Sequence, residues 1–198
     1  MNRKRVPAIV AAILVLVVLP AITFLFLRKG DQLRHQRRVP EFSLIATGGS
    51  RFHSSELRSK AYVAEFTYTR CRSIVCTKLD SMMQVLYDRF GGREDFALLT
   101  LTIDTRHDSP EMMRDLAAVR EAGANWHFLT GQQDSIEHLI FGGFLAKPDP
   151  GGGDVGRMRA DRKLAVISAE GLIRGYYDVL RRDQCELLVG AVQKLLAE

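Results

Sequence analysis

Residues 61–90 read AYVAEFTYTRCRSIVCTKLDSMMQVLYDRF, and this stretch decides the fold. Its first nine residues, 61–69, are rich in aromatic and β-branched side chains, which predicts a β-strand. Beyond the two cysteines, apolar residues recur at the spacing of an amphipathic helix: Val75, Leu79, Met82, Leu86 and Phe90. A buried strand is therefore followed by a helix, and the turn between them carries Cys71, with Cys76 in the first turns of the helix.

The rest of the chain alternates strands with helices. Residues 96–104, FALLTLTID, predict a strand that is buried on both faces. Ser109 is the expected N-cap of the next helix. A hairpin is predicted within 163–178, and a capping-box pattern at Asp183 and Glu186 is expected to open the final helix. This alternation predicts an α/β protein in which helices cover both faces of one sheet.

The N-terminus predicts a membrane anchor. From Val6 to Leu27 there are 22 residues without a charge, and a helix of that length crosses a hydrocarbon core of about 30 Å. The run ends in TFLFLRKG rather than in the small residues of a signal-peptide cleavage site, which favours an uncleaved anchor. The predicted organisation is a basic N-terminus (1–5), a transmembrane anchor (6–27) in contact with lipid, a charged tether (28–38) and one domain (39–198).

The formal net charge of +5 belongs to the membrane-flanking segments. Residues 1–38 hold eight Lys and Arg and one acid, which leaves 20 basic and 22 acidic residues in 39–198. The domain has no basic stripe along the chain, so we expect no nucleic-acid partner. Positive charge flanks both sides of the anchor, and the positive-inside rule therefore leaves its orientation open.

Cys71 and Cys76 form the candidate site. Backbone N–H groups and the helix dipole favour a thiolate at a helix N-terminus, as do the neighbours Arg70 and Arg72. Residues five apart on one helix point in different directions. A Cys71–Cys76 disulfide therefore requires Cys71 to lie on a loop that folds back, with Ser73 as a possible N-cap and a Cα separation of about 4.4–6.8 Å.

Metal binding is the alternative use of the pair. Zinc would want four ligands, and the sequence has neither a second cysteine pair nor a histidine pair at ligand spacing. Copper(I) accepts two thiolates. Of the five histidines, His107 follows a buried strand, where sites gather in α/β sheets. Cys185 shares an apolar stripe with Leu188 and Val192, so we expect it to pack in the core.

The chain resembles the Sco/SenC family of cytochrome oxidase assembly proteins over most of 39–198. Four segments carry the resemblance: VPEFSLIATGG (39–49), FTYTRC with VC at the second cysteine (66–76), LTLTIDTRHDSPEMMRDLAAVREAGANWHFLTG (99–131) and LAVISAEGLIRGYYD (164–178). The resemblance implies a thioredoxin-like fold, a central mixed β-sheet with helices on both faces, behind one N-terminal transmembrane helix. It also implies a single-pass protein of the inner membrane whose domain faces the periplasm.

Two residue patterns depart from the family. Its cysteines are spaced C-x-x-x-C, usually with Pro after the first, whereas here the gap is one residue longer and contains no Pro. The family's copper-ligating histidine corresponds to Ala160. Met158 is the nearby soft side chain that could replace it.

The resemblance implies that Cys71 and Cys76 perform thiol–disulfide exchange, with the copper-site cysteines of a respiratory oxidase subunit as the partner. The missing imidazole at Ala160 favours redox work over copper storage, and whether the protein is an oxidoreductase in its own right stays open. Two alternatives remain: a copper(I) metallochaperone that uses Cys71, Cys76 and a substituted third ligand, and a non-catalytic interaction module of the same fold.

Overall fold

A mixed sheet forms the centre of the protein in a computed structural model, which describes residues 37–146 and 161–198. Its strands are β1 (Ser43–Ala46), β2 (Arg51–His53), β3 (Ala61–Thr67), β4 (Phe96–Thr102), β5 (Trp126–Thr130), β6 (Lys163–Ile167) and β7 (Ile173–Asp178). The helices are α1 (Ile74–Phe90), α2 (Pro110–Val119), α3 (Gln133–Glu137) and α4 (Arg182–Leu195), with a 3-10 turn at Ser54–Leu57 and a π-helix at His138–Gly143.

The strand order is β2-β1-β5-β4-β3-β6-β7. The three central strands β3, β4 and β5 are parallel, while β1 and β6 flank them in antiparallel pairing and β7 closes the sheet beside β6. The carboxyl ends of the three parallel strands therefore meet at one edge. This arrangement confirms the predicted mixed sheet and the thioredoxin-like fold.

Helices pack on both faces of the sheet, as predicted. Every residue of β3 and β4 is buried, and successive side chains point to opposite faces. On one face Phe66 packs edge-on against Phe144, which follows the π-helix. On the other face Val63 belongs to the core that α1, α2 and α4 share, and this core includes Leu79 and Leu188.

Two of the four α-helices in the described residues begin with a capping serine, and α3 and α4 begin without a side-chain cap. Ser73 caps α1 and Ser109 caps α2, as predicted. The predicted capping box at Asp183 is wrong, because α4 begins at Arg182 and its N-cap, Arg181, makes no capping hydrogen bond with its side chain. Asp183 lies inside the first turn, where a carboxylate is stabilised by the helix dipole, and it pairs with Arg181 at 2.7 Å.

The predicted basic N-terminus (1–5) and transmembrane anchor (6–27) lie outside the described residues. Within 37–146 and 161–198, no helix has the length and apolarity needed to cross a membrane. Of the predicted tether (28–38), only residues 37 and 38 are among the described residues. The main-chain oxygen of Arg37 accepts a hydrogen bond from Ile173 at 2.9 Å, and Arg38 forms a bridge with Leu172, so both are already bonded beside β7.

Candidate functional site

A disulfide joins Cys71 to Cys76 at the carboxyl edge of the parallel strands. Cys71 lies on the loop after β3 and Cys76 lies in the first turn of α1, with 6.1 Å between their Cα atoms. This distance is inside the range that a disulfide tolerates, and Cys71 is outside the helix, as the five-residue separation requires. Cys76 is buried whereas Cys71 is half-buried, so an incoming thiolate has easier access to the sulfur of Cys71.

Two hydroxyl groups contact the sulfur atoms. The Ser73 hydroxyl accepts the Cys76 N–H at 3.4 Å as the N-cap of α1, and it lies 3.3 Å from the Cys71 sulfur and 3.6 Å from the Cys76 sulfur. The Thr67 hydroxyl, at the end of β3, lies 3.7 Å from the Cys76 sulfur. The long gap between the cysteines therefore accommodates the N-cap residue, and that residue also contacts both sulfurs.

Hydrogen bonds to Asp108 connect the loop after β3, which carries Cys71, to the sheet. Its buried carboxylate accepts hydrogen bonds from the Thr69 N–H at 3.0 Å, from the Thr69 hydroxyl at 2.5 Å and from the Thr102 hydroxyl. Its main-chain oxygen accepts from the Thr130 hydroxyl at 2.8 Å. One buried side chain thus links the loop after β3 to the ends of β4 and β5. In the sequence, Asp108 was only part of the family signature.

Asp104 holds two basic side chains beside the disulfide loop. Arg70 donates to its carboxylate at 2.8 Å, and His107 Nδ1 lies 2.9 Å from it and 2.8 Å from Arg70. Burial raises the pKa of Asp104, but the hydrogen bonds from His107 and Arg70 outweigh burial, so this pKa lies below its usual value. Arg70 is therefore paired with Asp104, while Arg72 donates to the main-chain oxygens of Thr69 and Cys71.

Within the two described ranges, no group of three or more His, Cys, Asp or Glu residues is arranged to hold a metal ion. Cys71 and Cys76 are joined to each other, and His107 is bonded to Asp104. Ala160 and Met158 lie outside the described residues. Asp161, the first residue of the second described range, donates its N–H to the main-chain oxygen of Phe66 at 3.2 Å. Asp161 therefore lies beside the end of β3.

Cys185 takes no part in this site. It is half-buried against the core between the sheet and α4, and its sulfur lies 3.6 Å from the Val179 main-chain oxygen. Burial raises the pKa of its thiol, which makes it a poor nucleophile at neutral pH. The prediction that Cys185 packs in the core is confirmed in part, because the side chain packs against the core but is only half-buried.

A charge cluster under α1, made of the buried pair Arg120–Glu65 and the half-exposed Asp80, was not predicted from the sequence. Arg120 donates to the carboxylates of Glu65 and Asp80, and the Thr100 hydroxyl donates to Glu65 at 2.6 Å. Burial raises the pKa of Asp80 despite the attraction of Arg120. Asp80 lies one helical turn after Cys76, so the cluster is about one turn below the disulfide. The available signal was the acid inside the otherwise apolar run AYVAEFT.

Fold and site together define a thioredoxin-like domain with a disulfide at the carboxyl edge of its parallel strands. The SCO1/SenC family model matches residues 30–196, and the chain belongs to that family. The sequence has no significant match among curated proteins.

Solved structures are similar over most of the chain. A SCO1/SenC family lipoprotein from Bacillus anthracis str. Ames is 22% identical with a TM-score of 0.71, and the match covers 82% of this chain and 96% of that one. BsSco, described as a Sco family cytochrome c oxidase assembly protein with a disulfide switch, is 20% identical with a TM-score of 0.65, over 81% and 94%. Copper-bound ScoI from Bradyrhizobium japonicum is 19% identical with a TM-score of 0.61, over 81% and 99%. At these identities the likeness shows the fold.

Proposed function

We propose that the protein is a membrane-anchored thiol–disulfide redox protein that assists copper-site assembly of a respiratory cytochrome oxidase, with its domain in the periplasm. The observation that carries the proposal is the Cys71–Cys76 disulfide, which has one accessible and one buried cysteine at the open edge of the sheet. Family membership supports the oxidase as the partner, since the similar BsSco is described as a cytochrome c oxidase assembly protein.

The exchange proceeds in two displacement steps. In the reduced protein the Cys71 thiolate attacks a partner disulfide, which breaks the partner S–S bond and forms a mixed disulfide. The Cys76 thiolate then attacks the Cys71 sulfur, closes the intramolecular disulfide and releases the second partner thiol. The partner gains two electrons and two protons overall, and the protein loses them. Only reduced cysteines bind copper, because the ligand is the thiolate, so this direction prepares a copper site for loading.

The test follows the redox state of the full-length chain in a neutral detergent across glutathione buffers, using thiol-specific mass tags. We expect one two-electron transition that Cys71→Ser and Cys76→Ser abolish and that the control Cys185→Ser leaves unchanged. Cys76→Ser is also expected to trap a mixed disulfide with a peptide that carries a C-x-x-x-C pair. The proposal would be contradicted if the pair stayed reduced even in the most oxidising glutathione buffer, at a potential of about −180 mV.

A copper(I) carrier is the second candidate, favoured by the copper-bound structures of similar Sco proteins. After reduction, Cys71 and Cys76 would supply two soft thiolates. His107 is the imidazole held at this edge of the sheet, with Nδ1 bonded to Asp104 and Nε2 not used in that bond. A carboxylate on one ring nitrogen is the usual partner of a metal-bound histidine.

Anaerobic copper(I) loading followed by native mass spectrometry tests this candidate on the full-length chain. We expect binding to be lost in Cys71→Ser, weakened in His107→Ala and retained in His138→Ala, which removes an exposed histidine. Unchanged copper binding in Cys71→Ser would exclude the pair as its site. Full oxidase assembly in cells that carry a Cys71→Ser/Cys76→Ser protein would instead favour the non-catalytic module.

A further inference from the structure

Three exposed arginines lie on the loops beside the disulfide. Arg70 and Arg72 flank Cys71, and Arg106 precedes His107, whose ring contacts Arg70. We call Arg70, Arg72 and Arg106 the arginine rim. Arg70 is 49% exposed, and Arg72 and Arg106 are also exposed. Neither Arg72 nor Arg106 has an acidic partner within residues 37–146 and 161–198.

The two acids that contact the disulfide loop point inward, whereas Glu111 and Asp134 are exposed in the first turns of α2 and α3. Asp104 is buried and bonded to Arg70 and His107, and Asp108 is fully buried beneath Thr69 and Thr102. Their negative charge is therefore held by internal donors rather than presented to a partner. The disulfide loop and the loop that carries Arg106 therefore present cationic groups to solvent, although residues 39–198 as a whole hold slightly more acids than bases.

An apolar contact lies beside the rim. Ile74, the first residue of α1, follows the N-cap Ser73 and is 64% exposed. A large aliphatic side chain exposed next to a reactive bond, with arginines around it, has the composition of a protein-binding surface. A disulfide can exchange only with a thiol, which a polypeptide supplies and a phospholipid does not.

We propose that the arginine rim and Ile74 dock an acidic polypeptide segment that carries a cysteine pair. This inference rests on the proposed function and specifies the chemistry of the partner. The reaction can be followed in the reverse direction, in which a partner dithiol reduces the Cys71–Cys76 disulfide. A partner thiolate attacks the Cys71 sulfur, the S–S bond breaks, and Cys76 leaves as a thiolate that takes a proton from solvent. The second partner thiolate then displaces Cys71, so the partner dithiol loses two electrons and becomes a disulfide.

Electrostatics determines how much faster an acidic partner should react at the arginine rim than a basic one. Clefts and surfaces of one sign raise the association rate of oppositely charged partners by about 10 to 1,000-fold, and salt reduces the effect. The screening length falls from about 30 Å at 0.01 M salt to about 8 Å at 0.15 M. A preference that comes from the rim must therefore shrink as salt is added.

The experiment uses the oxidised full-length chain in a neutral detergent and three dithiol peptides. The peptides share one C-x-x-x-C core and differ only in flanks of glutamate, serine or lysine. At low salt we expect the glutamate peptide to reduce Cys71–Cys76 at least about tenfold faster than the lysine peptide. Arg72→Glu/Arg106→Glu should abolish or invert this ratio. Arg106→Glu alone should lower it without disturbing the hydrogen bonds that Arg72 makes in the loop.

Arg89→Glu is the matched control, because Arg89 is an exposed arginine near the other end of α1, about 22 Å along the helix from Ile74. It should retain the wild-type ratio. Equal rates for the three peptides, or a faster lysine peptide, would overturn the inference. Equal rates combined with rim-dependent binding to phosphatidylglycerol vesicles would overturn it too, and would assign the rim to lipid.

An uncharged small dithiol, dithiothreitol, separates this inference from the proposed function. If dithiothreitol reduces the pair while the peptides show no charge preference, the arginine rim is not a docking surface and the redox proposal stands. If neither dithiothreitol nor any peptide reduces the pair, the redox proposal fails and the inference fails with it.

Discussion

Arg120→Met removes the cation from the buried cluster under α1. The Arg120 side chain is 8% exposed, and the Glu65 side chain is fully buried, with one carboxylate oxygen that has no hydrogen-bond partner among the described residues. The guanidinium carbon of Arg120 lies 5.7 Å from the ring centroids of Trp126 and Phe128. Met preserves much of the apolar stem of Arg120 but removes this charged group. The variant therefore removes the guanidinium together with its contacts to the two rings, and the carboxylates of Glu65 and Asp80 are left without their cation.

The expected cost is about 3–5 kcal/mol at neutral pH, the usual effect of breaking a buried ion pair by removing one partner. Domains of this size have only about 5–15 kcal/mol of total stability, so the variant should be close to unfolding. The double variant Glu65→Gln/Arg120→Met should recover a large part of the loss, because it leaves one buried carboxylate fewer.

The loss should also depend on pH. Burial raises the pKa of Asp80 already in the presence of Arg120, and removing the cation raises it further. A carboxyl whose folded-state pKa lies above its unfolded value, about 3.9 for Asp, stabilises the protein below that value, and this stability is lost as pH rises through the folded pKa. The deficit of Arg120→Met relative to wild type should therefore be smaller near pH 4 than at pH 8.

Urea unfolding followed by far-ultraviolet circular dichroism, at several pH values, measures these differences. Arg93→Met is the matched control, since Arg93 forms an exposed ion pair with Asp95 and such pairs contribute little. A loss below about 1 kcal/mol in Arg120→Met at pH 8, or a loss that grows towards acid pH, would refute the reasoning about the buried Glu65 and the half-buried Asp80.

Three further substitutions test the disulfide loop. Ser73→Ala removes the N-cap of α1 and should cost about 0.5–2 kcal/mol in urea unfolding, whereas Ser81→Ala, on the exposed face of the same helix, should cost less. Asp108→Ala leaves the donors of the loop and of β4 without their acceptor and should cost at least about 1–3 kcal/mol, with Asp115→Ala as the exposed control. Asp104→Asn should be less stable than wild type above the unfolded pKa of Asp. This loss of stability should fade as pH drops through the lowered pKa of Asp104. A loss that does not depend on pH would contradict a stabilising role for the Asp104 charge.

The strand–turn–helix around the cysteines could be predicted because its determinants are local. The strand ends, Ser73 caps the helix, and the geometry of one helix forces Cys71 onto the loop. The contacts of Asp104 and Asp108 with the loop depend on β3 and β4 being neighbours, and the family motif pointed to these acids without giving their bonds.

The buried cluster could not be predicted, because it joins side chains that are distant in sequence. Glu65 and Arg120 are 55 residues apart and Asp80 is 40 residues from Arg120. No pattern in the sequence pairs the acid of β3 with the arginine after α2. In the sequence, the arginine rim is visible only as positive charge near Cys71. The sequence does not reveal that Asp104 and Asp108 are buried, and this burial leaves the arginines as the exposed charges of the loop.

Ala160→His tests whether the departure at this position accounts for the redox function proposed above. The resemblance aligns Ala160 with the family's copper-ligating histidine, and Asp161 is held beside the end of β3 by its bond to Phe66. Losing a contact that only orients a metal ligand costs about 10–100-fold in affinity, so a direct third ligand should tighten copper(I) binding at least about tenfold. Competition of the reduced full-length chain with a chromophoric copper(I) chelator measures this change.

Arg159→His is the control for Ala160→His, because it adds an imidazole one position earlier in the chain. It should leave copper affinity near that of wild type. An equal gain in both variants would indicate non-specific binding by any added imidazole. No gain in Ala160→His would mean that the longer cysteine spacing, with Ser73 between the sulfurs, already prevents a three-ligand site. The altered loop, rather than the missing histidine, would then account for the proposed redox function.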